Sequence, residues 1–191
     1  MYHSIKKREV MKKMLLTLLV AVSALAANAQ MYVGGEVGLW RNNDAHSTDF
    51  VIQPEVGFQL SDSWAIGLNV GFAHSSSDNL KVNGFVATPY ARYTYLKLGS
   101  VNLFLDGGFG FNTYKQKGYD ESCNAWQVGV SPGISVRIAK NFNFIAHVGF
   151  LGYRDSDAPF GHDAPVSAFG DDGFGFRLSS NDLRFGLYYD F

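Results

Sequence analysis

The sequence predicts an all-β protein, an eight-stranded antiparallel up-and-down transmembrane β-barrel preceded by a cleavable signal peptide. Three observations predict it. Long stretches alternate large apolar residues with small or polar ones, the period-2 signature of strands. The connections between these stretches are short and long by turns. After Ala29 the chain has no apolar run of about 18 residues, so it offers no spanning helix.

The leader comes first. Met11-Lys12-Lys13, an apolar stretch over Met14–Ala27 and Ala27-Asn28-Ala29 form a basic start, a hydrophobic segment and a small-x-small cleavage site. The stretch is shorter than the roughly 20 apolar residues of a spanning helix. The predicted domains are therefore 1–29, a signal peptide whose natural start is Met11, and 30–191, the barrel. Removing 29 of 191 residues leaves 162, enough for one domain. The leader holds five of the 16 basic residues and one of the 17 acidic ones, so the mature part has 11 against 16, a net of −5. That balance argues against a nucleic-acid binder, which needs a basic face. All 21 glycines follow the leader, too many for a helical bundle, and the aromatic content is too high for disorder. A single cysteine excludes a disulfide framework and a multi-cysteine zinc site.

Eight strand segments follow, at about 31–40, 50–60, 64–75, 82–98, 101–116, 124–139, 142–154 and 174–191. In the third, Trp64, Ile66, Leu68, Val70 and Phe72 alternate with Ala65, Gly67, Asn69 and Gly71. In the fifth, Leu103, Leu105, Phe109 and Phe111 oppose Phe104, Asp106, Gly108 and Asn112. In the sixth, Trp126, Val128, Val130, Ile134 and Val136 oppose Gln127, Gly129, Ser131, Gly133 and Arg137. In the seventh, Phe142, Phe144, Ala146, Val148 and Phe150 oppose Asn143, Ile145, His147 and Gly149. Ser61–Ser63, Gly99-Ser100 and Lys140-Asn141 are tight turns, whereas Arg41–Asp49, Ser76–Lys81, Lys117–Cys123 and Asp155–Gly173 are long loops. Long loops at one end, with short turns and both termini at the other, describe an up-and-down barrel in an outer membrane.

A soluble sandwich or lipocalin-like barrel would carry the same alternation. Composition separates the two. The non-apolar face here is mostly Gly, Ala, Ser and Asn, with little of the Lys and Glu that coat soluble strands. Small residues suit the crowded interior of a narrow barrel, and Phe, Leu, Val and Trp suit lipid. Pro54, Pro89 and Pro132 each remove a ladder donor, so each is expected at a bulge or irregularity. In the last strand, Phe174, Phe176 and Leu178 share one parity and Leu183 onward the other, which predicts a bulge or break near Ser179–Asp182.

The end of the chain alternates Leu183, Phe185, Leu187, Tyr189 and Phe191, with Phe191 last. Together with Met31-Tyr-Val-Gly-Gly-Glu-Val-Gly and Gln53-Pro-Glu-Val-Gly, it resembles the eight-stranded outer-membrane β-barrel family, often labelled porin family or OmpA/OmpX-like. The resemblance spans the mature chain. It implies residence in the cell outer membrane, contact with its lipids and delivery to the barrel assembly machinery through the Phe191 strand.

With the bulky parity facing lipid, Glu36, Glu55, Arg92, Asp106, Arg137, His147, Arg184 and Asp190 point into the lumen. A basic residue on the lipid side would cost about 2–4 kcal/mol at the midplane. An eight-stranded barrel is only wide enough for side chains to fill it, so these charges are expected to pair. They form either a structural balance of buried charge or a gate that exchanges partners. Trp64, Tyr93, Tyr95, Phe142, Tyr189 and Phe191 are expected in one aromatic girdle, and Trp40, Tyr114 and Trp126 in the other.

Two motifs carry potential chemistry. His74 and Ser76 share one side of a strand end, like the His-x-Ser pair of barrel lipid A deacylases, but no acidic partner can be assigned. Asp155, Asp157, His162, Asp163, Asp171 and Asp172 could offer oxygen ligands to Ca²⁺, although loops rich in Asp, Gly and Pro are ordinarily solvated. Cys123 is placed in the third long loop as an incidental thiol. The sequence thus predicts a monomer that is not an enzyme and holds no cofactor or metal, with a structural, envelope-stabilising or surface-interaction role. A narrow low-conductance channel for ions or very small solutes is the second reading, and a lipid A-modifying enzyme the third.

Overall fold

A computed structural model describes residues 29–42, 47–77, 80–116, 122–157, 173–177 and 183–191. The leader and parts of the long loops, with His162, Asp163, Asp171, Asp172 and the Ser179–Asp182 stretch, lie outside the described residues. The strands are β1 (Gln30–Asn42), β2 (Ser47–Gln59), β3 (Trp64–Ser77), β4 (Leu80–Leu98), β5 (Val101–Gln116), β6 (Ser122–Arg137), β7 (Phe142–His147), β8 (Phe150–Ser156), β9 (Gly173–Arg177) and β10 (Arg184–Asp190). Strand seven of the barrel is β7 and β8 together; strand eight is β9 and β10.

Each strand pairs antiparallel with its neighbours. The ring closes through β6–β7, β7–β10 and β10–β1, where Tyr32 meets Asp190 and Val37 meets Phe185. Toward the loops, β6 pairs β8 and β8 pairs β9. Over Tyr32–Val37 the pairing of β1 with β10 joins the first and last strands, so that part of the sheet leaves no edge for lipid to desolvate. At the short-turn end the two ends of the barrel wall meet, with Phe191 N donating to Met31 O at 3.0 Å. The Gly99-Ser100 hairpin joins Leu98 to Val101 with Gly99 at φ +64°, the left-handed conformation that a tight primed turn requires.

The two faces divide as the alternation requires. Val37, Leu39, Val56, Leu68, Phe72, Phe85, Phe109, Val128, Leu151, Phe185 and Leu187 are exposed on the outside. Glu36, Glu55, Asn69, Arg92, Asp106, Asn112 and His147 are buried inside.

All three prolines coincide with an irregularity. The β2–β3 ladder is interrupted beside Pro54, between Ile52 and Glu55, and the β4–β5 ladder beside Pro89, between Ala87 and Tyr90; both keep their register. Opposite Pro132 the wall shifts, because β6 pairs Gly133 with His147 but Val130 with Leu151. The partner strand thus carries one extra residue at Val148-Gly149, with Gly149 at φ +76°. In the last strand, His147 pairs Arg184 while Phe150 pairs Arg177, an offset of seven positions against three. The stretch near Ser179–Asp182, where a bulge or break is expected, lies outside the described residues.

The Val148-Gly149 bulge corrects one expectation. Phe150, expected on the lipid side, is turned inward and buried, and Arg154 follows it into the lumen. Tyr114 is likewise buried inside, not in the loop-side girdle, packed with Val82, Val86, Cys123 and Ala125. Cys123 belongs to β6 and is buried, because β6 begins at Ser122 rather than after the loop. Around the short-turn rim the rings do gather: Trp64 lies 4.8 Å from Tyr93, Phe142 lies 5.1 Å from Tyr189, and Tyr189 lies 5.0 Å from Phe191. Near the loops, Trp126 packs between Phe109 and Tyr153.

Candidate functional site

The centre of the lumen is crossed by a connected layer of polar side chains. Its residues are inward members of six strands: Glu36 of β1, Glu55 of β2, Arg92 of β4, Asp106 of β5, His147 of β7, and Arg184 and Tyr188 of β10. Arg92 grips Asp106 with both ends of its guanidinium, Nε to Oδ1 at 2.8 Å and an Nη to Oδ2 at 2.7 Å. The fork geometry suits a carboxylate better than a lysine would. The same guanidinium lies 3.8 Å from Glu55 and stacks 4.1 Å over the Phe104 ring. His147 sits between two carboxylates: Nδ1 is 2.7 Å from Glu36 and Nε2 is 2.7 Å from Asp106. Arg184 reaches Glu36 at 3.4 Å and donates to Gln53 at 3.0 Å.

Tyrosines complete the layer. The Tyr90 and Tyr188 hydroxyls each donate to one oxygen of Glu55. Tyr188 also lies 3.2 Å from Glu36, and Tyr32 shares a 2.6 Å hydrogen bond with Tyr90. A path of contacts therefore runs from Glu55 through Tyr188, Glu36, His147, Asp106 and Arg92 back to Glu55. The rings find room because glycines face them. A Cβ on Gly34 would collide with Tyr188, one on Gly57 with Tyr32, and one on Gly67 with Tyr90. Small residues on the inner face are thus what lets large rings cross a narrow cylinder.

The sequence expectation for this network divides three ways. Glu36, Glu55, Arg92, Asp106 and His147 are buried and brought together, and Arg184 joins them half-buried. Arg137 does not: it is the last residue of β6, beside the short turn, and is exposed. Asp190 closes β10 at the same rim, where Asn143 donates to its carboxylate at 2.7 Å. Tyr32, Tyr90, Tyr188 and Gln53 were missing from the expected set. Their inward parity was readable, but an uncharged residue gives no sign that it belongs to an ionic layer. Arg154 was also missed, because the bulge that turns it inward resets the parity; it lies 4.0 Å over the Phe150 ring and donates to Gln127.

The other candidate chemistry is placed apart from this layer. His74 Nδ1 meets Asn83 Oδ1 at 2.7 Å, so its near partner is an amide, and Ser76 pairs across the ladder with Lys81. Among the described residues no group of three or more His, Cys, Asp or Glu could hold a metal ion.

Comparison with known proteins fits this geometry. A model of the outer membrane protein beta-barrel domain matches residues 14–191. The chain belongs to this outer-membrane β-barrel family. Its place in the cell is accordingly the outer membrane. A major outer membrane protein of Thermus thermophilus superposes with a TM-score of 0.53 at 14% identity, covering 86% of this chain and 100% of that one. The N-terminal β-barrel domain of Pseudomonas aeruginosa OprF gives 0.49 at 12% identity, covering 85% and 96%. Neisserial surface protein A gives 0.49 at 14%, covering 85% and 97%. At such identities the Thermus likeness bears on the fold alone. No curated protein matches the sequence significantly.

Proposed function

We propose that this family member is a structural component of the outer membrane, a barrel with a side-chain-filled lumen that stabilises the envelope or presents its long loops to the exterior. The supporting observation is the layer just described. Buried charges and three tyrosine rings meet across the lumen in one connected set of contacts, which favours a filled interior over a path for a solute. Replacing such a network would demand breaking buried ion pairs, which is costly once either partner is left alone. The His74 and Ser76 arrangement, with an amide where a triad would need an acid, favours a non-catalytic role.

On this reading the protein is a monomer bathed in outer-membrane lipid. Residues 1–29 guide it out of the cytoplasm, and the Phe191 strand presents it for assembly. Recording from planar bilayers tests the proposal. The barrel is expected to give no reproducible openings. Openings whose size changes with Arg92→Gln or Glu55→Gln would overturn it in favour of a narrow channel.

A further inference from the structure

The ring order β1-β2-β3-β4-β5-β6-β7-β10 places β1 and β5 four strands apart in a cycle of eight, on opposite walls. His147, projecting from β7, reaches both: Glu36 on β1 and Asp106 on β5, each at 2.7 Å. A neutral imidazole has one N–H and one lone pair, so it can donate to only one carboxylate. Nε2 is aligned as a hydrogen bond with Asp106, whereas Nδ1 approaches Glu36 at 2.7 Å without that alignment, as a close charge contact. Two carboxylates held this close to one ring are attractive together only when the ring carries both hydrogens and a positive charge.

The surrounding charges lead to the same state. Glu36 of β1, Glu55 of β2 and Asp106 of β5 supply three carboxylates, and Arg92 of β4 and Arg184 of β10 supply two guanidiniums. The remaining titratable neighbours are tyrosines: Tyr90 of β4 and Tyr188 of β10 are hydroxyl donors to Glu55, and Tyr32 of β1 is hydrogen-bonded to Tyr90. From β6, the residue paired with His147 is Gly133, which adds no charge. Two guanidiniums thus serve three carboxyl groups, and an imidazolium at His147 would place a third cation between Glu36 and Asp106. Phe104 packs edge-on against the ring at 5.2 Å and holds it in place.

We propose that His147 is an imidazolium strut tying the opposite walls of the barrel, Glu36 on β1 to Asp106 on β5, and that loss of its proton releases the strut and loosens the lumen. The device is a pH-sensitive latch built into the wall, and it stands whether or not the lumen conducts. Its action has a defined sign: the strut holds while the ring carries both protons and is lost toward the alkaline side.

Nitrogen NMR of the ring, in the refolded full barrel in detergent micelles, is the direct test. Near neutrality both ring nitrogens of His147 should show attached hydrogens. On alkaline titration one should be lost, and amide protection factors in β1 and β5 should fall reversibly in step, by roughly a hundred-fold, the scale of a broken buried ion pair. His147→Gln should abolish that step. A ring with one bare nitrogen near neutrality, or an unchanged alkaline step in His147→Gln, would sink the proposal. Should His147→Gln fail to fold, Asp106→Asn replaces it: the step should vanish there too, and its persistence would count equally against the strut.

Discussion

Two regions of the same lumen are filled by opposite means. At mid-height, Glu36, Glu55, Arg92, Asp106 and His147 join side chains from separate strands into one polar layer. Toward the loops, Val82 and Val86 of β4, Tyr114 of β5, and Cys123 and Ala125 of β6 form an apolar cluster with Ala73 of β3. The polar layer reaches from wall to wall. The apolar cluster joins consecutive strands that the β3–β4, β4–β5 and β5–β6 ladders already hold. Among the described residues, the polar layer thus ties separate walls together at mid-height, while the apolar cluster packs neighbouring strands side by side.

The largest effect should come from cutting the polar layer. Arg92→Ala removes the fork on Asp106 and the guanidinium beside Glu55, leaving buried carboxylates without their cation. The expected loss is about 3–5 kcal/mol, the range for breaking one side of a buried pair. Urea unfolding of the barrel in lipid vesicles measures it. A double change, Arg92→Met with Asp106→Leu, should recover part of the loss, since it removes one of the stranded carboxylates while Glu55 and His147 still lose a partner. Equal destabilisation by the single and double changes would mean that the layer acts through packing rather than charge.

A second change sharpens the contrast between inside and outside. Leu68 faces lipid four residues above the girdle ring of Trp64, while Asn69 beside it is buried in the lumen. Leu68→Arg is expected to cost about 2–4 kcal/mol, as a cation at mid-depth does on a barrel's outer face. The same unfolding measurement checks it. A neutral result would show that the exposed Leu and Phe rows do not meet hydrocarbon.

Where the sequence was legible, it was legible through parity. A period of two is a property of the strand itself, so Glu36, Glu55, Arg92, Asp106 and His147 could be turned inward without knowing their neighbours. Parity fails where a strand gains a residue. One extra position at Val148-Gly149 sent Phe150 and Arg154 to the face opposite to the one the alternation indicates, and only the pairing across from Pro132 discloses it. Parity also says nothing about height. Arg137 and Asp190 have the inward parity but stand at the ends of their strands, so they meet the rim instead of the layer. Nor does parity name partners: that His147 would bridge β1 and β5 depends on ring order and register, which are three-dimensional facts.

The smallest effect should come from the loop-end cluster, and it tests the comparison most directly. Val86 is fully buried there, so Val86→Ala removes two methyl groups from a packed site. Transfer alone sets the loss at about 1–2 kcal/mol, at roughly 0.8 kcal/mol per carbon. No charge is stranded and no hydrogen bond is cut, so the deficit should stay local. Hydrogen exchange of amides in the loop-side halves of β4 and β5 should quicken, while those beside Asp106 and Arg92 keep their protection. Pairing Val86→Ala with Arg92→Ala should then give additive losses, because the two sites share no partner. If the losses instead couple strongly, or if exchange quickens around Asp106, the two fillings form one cooperative core, and the loop end is as bound to the middle of the barrel as the middle is to itself.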